Sequence, residues 1–185
     1  MASTLSFTGD DRVDITQYAL LATIGHVRPA RWSVRLALGA VLDGALEDGA
    51  RSFDIGPGVV GSVGVAKMWS WDAWFVTGSF GFSASRTTTG ETGSAAPRET
   101  LSAYDARLGA IAGRTFGSAS PYVLVRGFGG PVMWRRDAMD VTGADRHHYQ
   151  LGAGTSIAAG RLSLTLDVAA LGERAASLGV ALELR

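Results

Sequence analysis

The residues of this chain best suited to chemistry lie in the segment ADRHHYQ, which contains Asp145, His147 and His148. A carboxylate two residues from an imidazole could orient a general base, and a hydrolase would use such a pair to activate its nucleophile. No second acidic pair accompanies it, and the two consecutive residues Asp10 and Asp11, near the start of the sequence, are more simply interpreted as a turn. We therefore predict no enzymatic activity, with a hydrolase built around Asp145 and His147 as the alternative.

Metal and cofactor sites find little support in the sequence. The chain has no cysteine, which excludes a thiolate metal site, a disulfide framework and a Cys nucleophile. Adjacent histidines on a strand point to opposite faces, so His147 and His148 cannot share one metal without distortion. The glycine-rich segments Gly127–Gly130 and Gly152–Ser156 precede no helical pattern, so the helix N-terminus that would hold a phosphate is missing. We predict no metal and no cofactor.

The composition is balanced in charge and leans towards apolar residues. Of 185 residues, 17 are basic and 17 acidic, and apolar residues make up 46% against 18% charged. This balance gives no field that would attract nucleic acid, so we predict no nucleic-acid partner. The length predicts a single domain over residues 1–185, with 1–12 as a short first strand or a disordered tail. The chain lacks the long uninterrupted apolar run of a membrane-spanning helix.

The elements that must position these residues are predicted to be strands. In WFVTGSFGFSASR, from Trp74 to Arg86, bulky apolar side chains alternate with small or hydroxylated ones, and other segments share this two-residue period. A tilted strand that crosses a bilayer needs about 9–11 residues, which would explain why several candidates are so long. We predict an all-β chain of about ten strands, with eight as the alternative. The candidate strands are Thr4–Gly9, Val13–Val27, Arg31–Leu42, Ser52–Lys67, Asp72–Arg86, Thr100–Gly117, Pro121–Arg135, Arg146–Ala159, Arg161–Leu171 and Ser177–Arg185.

The predicted connections alternate between short and long along the chain. RPA, MWSW and SAS are short, whereas DGALEDGAR, TTTGETGSAAPRE and RDAMDVTGADR are long. In an antiparallel up-and-down barrel, successive connections lie at opposite ends. One end would therefore carry tight turns and the other end loops, which is the asymmetry of outer-membrane barrels.

Assigning alternate residues to two faces separates apolar from charged side chains. The outward face would meet lipid, where a basic residue at the bilayer midplane costs about 2–4 kcal/mol. Phe53 and Ile55 also fall on the outward face, and a bulge at Gly129–Pro131 would turn Trp134 outward. The residues predicted to face lipid include Phe80, Phe82, Leu108, Leu164 and Val180. The residues predicted to form a polar network in the lumen are Arg35, Asp54, Asp105, Arg107, Arg126, Asp167 and Glu183.

Four tryptophans lie near the predicted short turns. Trp69, Trp71 and Trp74 surround one turn, and Trp32 opens the strand after another. Such placement is typical of the aromatic girdle at a membrane interface, and the alternative is that these residues cap an ordinary core. Arginines at the predicted loop end suit phosphate contacts, which would add lipopolysaccharide to the lipid bilayer as a partner.

Together these patterns resemble the small bacterial outer-membrane β-barrel superfamily. The resemblance lies in strands such as WFVTGSFGFSAS and LSLTLDV, the final strand SLGVALEL, the alternating connections and the missing cysteine. It implies a closed, antiparallel, up-and-down transmembrane barrel in the outer membrane of a Gram-negative bacterium. MASTLSFTGDD carries no export signal, so we expect that a signal has been removed.

The resemblance implies a non-enzymatic protein with a narrow polar lumen. We expect it to act as a porin-like pore that transports small solutes, or as a membrane anchor, with its oligomeric state left open. The alternatives are the hydrolase at the loop end and a soluble barrel that carries a hydrophobic ligand.

Overall fold

The computed structural model describes residues 1–7, 12–28, 30–49, 51–136 and 139–184. Its regular elements are all strands, joined in one antiparallel sheet of 13 strands, so the predicted all-β class is confirmed. Within these residues, no helix has the length and apolar character that crossing a membrane requires. The turn predicted at Asp10 and Asp11 lies outside the described residues. In chain order the strands are β1 (Ala2–Phe7), β2 (Arg12–Val27), β3 (Trp32–Asp48), β4 (Arg51–Ile55), β5 (Gly58–Trp71), β6 (Trp74–Glu91), β7 (Glu99–Arg114), β8 (Ala119–Gly129), β9 (Pro131–Arg136), β10 (Met139–Asp145), β11 (Tyr149–Ala159), β12 (Leu162–Gly172) and β13 (Ala175–Leu182).

The predicted count of about ten strands, and its alternative of eight, are wrong for three local reasons. Gly56 and Pro57 divide one predicted strand into β4 and β5, because proline cannot donate to a ladder. Gly130 separates β8 from β9, and a Cβ at this position would lie 1.8 Å from the carbonyl oxygen of Tyr104. The third reason is β10, which forms within a segment predicted to be a long loop.

Most of the predicted long connections are in fact continuations of strands. β3 extends to Asp48 and β6 to Glu91, well beyond the predicted strand ends. Short turns join β2 to β3, β5 to β6, β7 to β8 and β11 to β12 at one end of the sheet, which we call the turn end. We call the opposite end the ring end.

Hydrogen-bonded ladders at the ring end join eight strands in a closed circuit. The circuit runs β1–β2–β3–β4–β6–β7–β9–β10 and returns to β1. It encloses a cluster of buried apolar side chains, which we call the ring core. The ring core consists of Leu5, Phe7, Val13, Ile15, Val41, Leu46, Phe53, Ile55, Leu101, Val132 and Trp134.

Trp134 lies at the centre of the ring core. It is 1% exposed, and the Phe53 ring packs against it edge-on with centroids 4.9 Å apart. Its indole N–H donates to Thr89 Oγ1 at 2.9 Å, so the one polar atom of the indole is satisfied.

Nine strands lie side by side towards the turn end, in the order β2–β3–β5–β6–β7–β8–β11–β12–β13. Among the described residues, no ladder joins β13 back to β2. A single bridge, between Ala2 and Arg174, connects β1 to the segment just before β13. The predicted closure of the whole sheet into a barrel is therefore not observed in the described part of the chain.

The side chains that point inward change from one face to the other part-way along β3, and again between β4 and β5. β3 itself pairs with β4 and β5 in one continuous register, with Leu46 opposite Phe53 and Leu38 opposite Gly61. The ladder between β3 and β2 shifts by one residue at Tyr18 and Ala19, and the ladder to β6 shifts by one residue between β4 and β5. The shared irregularity at Leu42–Asp43 and Gly56–Pro57 therefore reverses the alternation in both strands together.

This reversal explains two wrong predictions of facing. Phe53 and Ile55 are 5% and 1% exposed and belong to the ring core, although Val59, beyond the break, is 66% exposed. The predicted outward position of these two side chains is wrong because the alternation changes at Gly56–Pro57.

Trp134 is predicted to face outward and instead faces inward. β7 pairs with β8 and β9 in one unbroken register, with Ala106 opposite Gly129 and Ala103 opposite Val132. Gly130 interrupts the strand without inserting an extra residue. The alternation is therefore preserved, and Phe128, Val132 and Trp134 are all buried.

Candidate functional site

The inner face of the sheet carries a connected set of polar side chains between the ring core and the turn end. We call this set the polar cluster. Arg107 Nε donates to Asp105 Oδ2 at 3.0 Å, and its Nη2 lies 3.8 Å from Glu173 Oε2. The members of the polar cluster are Asp105, Arg107, Tyr122, Arg126, Gln150, Asp167 and Glu173.

Gln150 connects the two halves of the polar cluster. Its Nε2 donates to Glu173 Oε1 at 3.1 Å, and its Oε1 accepts from Arg126 Nη1 at 3.2 Å. Arg126 Nη2 lies 3.9 Å from Asp167 Oδ2, and Asp167 also accepts a hydrogen bond from the Tyr122 hydroxyl. The contacts therefore cross strands β7, β8, β11 and β12.

The most buried members are Gln150 and Glu173, which are 1% and 3% exposed. Glu173 lies in the connection between β12 and β13, outside both strands. Burial raises the pKa of Glu173, and the nearby Arg107 guanidinium opposes this effect. A buried acid is tolerated only when it is paired and hydrogen-bonded, which Arg107 and Gln150 provide.

Gly154 makes room for the pair formed by Tyr122 and Asp167. A Cβ at Gly154 would lie 2.4 Å from Asp167 Oδ1 and 2.7 Å from Tyr122 Cε2. A methyl group at this position would therefore displace the carboxylate from its hydroxyl partner. At least this part of the chain's glycine content serves the packing of a polar interior.

The structure brings together four of the seven residues predicted for the lumen network: Asp105, Arg107, Arg126 and Asp167. Asp54 does not join them, because Phe53 and Ile55 occupy the inner face of β4; it is exposed and accepts a hydrogen bond from Thr92 Oγ1 at 3.0 Å. The prediction for Asp54 is wrong.

The remaining two predicted members lie apart from the polar cluster. Arg35 alternates with the buried residues Ser33 and Ala37, which places it on the inner face, but it is exposed. Glu183 is exposed beyond the end of β13, and its backbone N–H donates to the Arg161 carbonyl at 2.9 Å.

Three members of the cluster are absent from the predicted network: Tyr122, Gln150 and Glu173. Tyr122 alternates with Arg126 along β8, so strict alternation could have found it. Glu173 lies between strands, where no periodicity applies, and only the structure reveals it.

The outer face between the ring end and the turn end carries large apolar side chains that are exposed. Phe80, Phe82, Leu108, Leu164 and Val180 are 43%, 54%, 66%, 42% and 73% exposed. They belong to what we call the apolar belt, which continues across all nine strands of this part of the sheet. Other exposed belt residues are Leu20, Ile24, Leu36, Leu38, Val63, Val65, Val123, Val125, Leu151, Ile157, Leu166 and Leu178.

The four predicted girdle tryptophans are all about half exposed and lie at the turn end. Trp32, Trp69, Trp71 and Trp74 are 44%, 48%, 53% and 49% exposed. The Lys67 ammonium lies 4.9 Å from the Trp32 ring and 5.6 Å from the Trp69 ring. Their exposure argues against the alternative in which these residues cap a core.

A second cation–aromatic group lies at the same end. The Arg114 guanidinium lies 5.4 Å from the Trp74 ring and 5.1 Å from the ring of Phe116, which is 57% exposed. The sequence prediction missed Phe116, although its position next to a short turn matches that of the tryptophans.

In the candidate hydrolase pair, the Asp145 carboxylate is hydrogen-bonded to a backbone N–H and to a hydroxyl group. Asp145 Oδ1 accepts the backbone N–H of His147 at 2.8 Å, and Oδ2 accepts the hydroxyl of Ser3. The carboxylate therefore holds the backbone and not the imidazole. The His147 ring instead lies near Tyr149, with centroids 6.3 Å apart.

The described residues contain no group of three His, Cys, Asp or Glu side chains placed to hold a metal ion. Residues of the ring core and of the polar cluster together line a cavity of about 180 Å³. Leu101 and Val132 contribute apolar surface to it, and Arg107 and Glu173 contribute charged groups.

Sequence comparison gives no information on function, so the functional argument rests on the fold, the polar cluster and the apolar belt. No protein-family model matches this chain, and no curated protein matches it in sequence.

Proposed function

We propose that this protein is an integral membrane protein of a bacterial outer membrane, without enzymatic activity, that serves as a membrane anchor. The observation that carries the proposal is the apolar belt, because its large side chains are exposed while charged residues occupy the inner face. A soluble protein rarely exposes a contiguous apolar surface of more than a few hundred Å². A bilayer would cover this surface, and strands of the observed length suit its thickness.

The aromatic residues of the turn end support the same orientation. Tryptophan side chains favour the membrane interface, and lysine and arginine can extend their charged groups towards water from there. Lys67 and Arg114 contact three of these tryptophans and Phe116. The turn end therefore fits one interface of the bilayer.

The ring core favours an anchor over a pore. A pore needs a continuous aqueous path, and the ring core fills the inside of the closed circuit with side chains such as Leu46 and Trp134, at 0% and 1% exposure. Two arginines of the ring end are also engaged within the protein, Arg51 with Glu91 at 3.3 Å and Arg136 with Asp48. Because these arginines pair with carboxylates of the protein, they give no support to a contact with lipopolysaccharide phosphates. The proposed partner is therefore the lipid bilayer alone.

Tryptophan fluorescence in vesicles tests the proposal. The protein is reconstituted into phosphatidylcholine vesicles whose acyl chains carry bromine, which quenches nearby indoles. We expect strong quenching in the unaltered chain and less in the variant Trp69→Phe/Trp74→Phe. The matched control Trp134→Phe removes a tryptophan of the ring core and should leave the quenched fraction higher than in the unaltered chain. A protein that stays in the aqueous phase without detergent would contradict the proposal.

Conductance separates the anchor from the pore. We expect planar bilayers that contain the protein to show no stepwise current. Regular current steps that disappear when the protein is omitted would favour the pore.

A further inference from the structure

Within the described part of the chain, two strands of the sheet have an edge without a partner, and both edges border the same opening. β2 pairs with β1 as far as Thr16, and within the described ranges the ladder of its residues 19–27 is the one with β3. β13 pairs with β12 alone among the described residues. A long unpaired edge exposes backbone N–H and C=O groups, which is especially unfavourable inside a bilayer.

The directions of the strands show how many strands the opening needs. β2 and β13 both run towards the turn end, because β2 leads into the turn before β3 and β13 is antiparallel to β12. Joining them directly would give a parallel pair in an otherwise antiparallel sheet. The nine strands around this part of the sheet are an odd number, and an antiparallel ring requires an even one. One added strand, running towards the ring end, would complete the ring.

The start of β1 already lies between the two borders of the opening. Met1 exchanges backbone hydrogen bonds with Gln17 of β2, at 3.0 and 2.9 Å. Ala2 exchanges them with Arg174, just before β13, at 2.7 and 2.9 Å. Consecutive residues thus bond to opposite sides, as in a central strand of a sheet. At this point the opening is one strand wide.

The same registers, extended towards the turn end, define which residues border the opening together. Leu20 then lies across from Leu178, Ala22 from Val180, and Ile24 from Leu182. In β2 and β13, every second residue points its N–H and C=O groups away from the opening, towards the paired neighbour strand. Arg28 N–H, for example, donates to the Trp32 carbonyl, and Glu183 N–H donates to the Arg161 carbonyl. The free groups therefore belong to the odd-numbered residues of β2 and the even-numbered residues of β13.

We propose that the opening between β2 and β13 is a binding site for one β-strand, which runs antiparallel to both and continues directly into β1 from its amino-terminal side. This inference rests on the proposed function, because a closed ring is what a bilayer requires. The occupant is an extended segment of about nine residues, the length of strand that spans an apolar layer.

The neighbours of the opening define the side-chain pattern of the occupant. Residues opposite Leu20, Ala22 and Ile24 would face outward beside the apolar belt and should be large and apolar. The intervening residues would face inward beside Thr23 and Gly25 on one border and Ser177 and Gly179 on the other, and should be small or hydroxylated. This pattern matches that of β6 and β12.

The test uses three versions of the full chain in detergent micelles. The first is the unaltered chain, and the second carries a nine-residue alternating segment joined directly ahead of Met1. The third carries the same nine residues shifted by one position, so that the apolar residues would face inward. Hydrogen exchange of the Leu21 and Val180 amides is measured, with Leu164 of the fully paired β12 as internal reference.

We expect the alternating segment to slow exchange at Leu21 and Val180 by tenfold or more, with no change at Leu164. The shifted segment should give less than a threefold effect. Equal protection by both segments, or by neither, would overturn the proposal. Since membrane association depends on the apolar belt, vesicle binding by the chain without an added segment should persist even if the strand site is refuted.

Cross-linking makes the result independent of how well the fused chain folds. The chain has no cysteine, so single cysteines can be placed in the added segment and at Ala22→Cys or Val180→Cys. One position of the segment should cross-link to both, in separate variants, because it lies between them. A disulfide that instead joins two copies of the Ala22→Cys chain would show that a second copy occupies the opening and would overturn the proposal.

Discussion

At the ring end the largest side chains of the sheet point inward, whereas towards the turn end they point outward. β7 shows both arrangements within one strand. Leu101 is 4% exposed in the ring core, and seven residues later Leu108 is 66% exposed in the apolar belt. Between them, Asp105 and Arg107 occupy the inner face and bind each other.

The outer face changes character at the same level. At the ring end it carries exposed charged residues, among them Glu47, Asp54, Arg135 and Asp140. Around the apolar belt it carries almost none. Apolar side chains stabilise a structure when they are removed from water. A sheet that buries them at one end and exposes them at the other is therefore suited to an aqueous and an apolar environment. Under the proposed function, the ring end would project into water and the apolar belt would lie in hydrocarbon.

The largest effect that separates the two regions should come from the ring core. We expect Trp134→Ala to lower the free energy of unfolding by about 3–5 kcal/mol, because it leaves a cavity beside Phe7 and Phe53 in the ring core. Urea titration in detergent micelles, followed by circular dichroism, measures the change. Trp74→Ala, at a half-exposed position of the turn end, is the matched control and should cost far less. Equal losses at the two sites would remove the distinction between the regions.

A charge on the apolar belt should have the next largest effect. We expect Leu108→Arg to make folding into lipid vesicles less favourable by about 2–4 kcal/mol, because a basic group at the bilayer midplane is poorly solvated. Phe116→Arg at the turn end is the control and should cost about 0–1 kcal/mol, as charges do near the interface. If Leu108→Arg proved neutral in vesicles, the apolar belt would not face hydrocarbon.

Alternation in the sequence agrees with the exposure of the apolar belt but fails in the ring core. Phe80, Leu108 and Leu164 follow one uninterrupted period, and their exposure agrees with it. Phe53 and Ile55 follow the same period in the sequence, yet the paired irregularity at Leu42–Asp43 and Gly56–Pro57 turns them inward. Pro57 marks a break in the sequence, but the register of three neighbouring strands decides whether the break reverses the faces.

The polar cluster is predicted only in part for a similar reason. Asp105, Arg107, Arg126 and Asp167 lie on strands, where a charge within an apolar alternation indicates the inner face. Glu173 is recruited from a connection by contacts with Arg107 and Gln150, which are distant in sequence. Long-range contacts of this kind have no local signal.

The polar cluster should respond to loss of its central amide. We expect Gln150→Leu to cost about 1–3 kcal/mol, because the buried Glu173 carboxylate loses a donor and Arg126 loses an acceptor. Urea titrations of Gln150→Leu, Glu173→Leu and the double variant form a double-mutant cycle. The double variant should be less destabilised than the sum of the two single variants, since the Gln150 amide and the Glu173 carboxylate that bond to each other are then removed together. Strict additivity would show that the two side chains do not interact.

The smallest effect should come from Lys67, a charged residue on the outward face of β5 near the turn end. Its ammonium lies between the rings of Trp32 and Trp69, and Trp32 is its direct partner across β3 and β5. Cation–aromatic contacts at exposed sites contribute about 0.5–1 kcal/mol. We therefore expect Lys67→Met to lower stability in vesicles by about that amount, although methionine is the more apolar residue.

The sign of this small effect is what makes the Lys67 variant informative. Deep in hydrocarbon, replacing lysine by methionine would stabilise the protein, whereas at the interface the lost contact with two tryptophans should dominate. Lys67→Arg keeps the charge and should retain most of the stability, which separates the cation from the side-chain volume. Urea titration in vesicles, with tryptophan emission as the signal, measures both variants. A stabilising Lys67→Met would place the turn end within the hydrocarbon and move the boundary between the two regions.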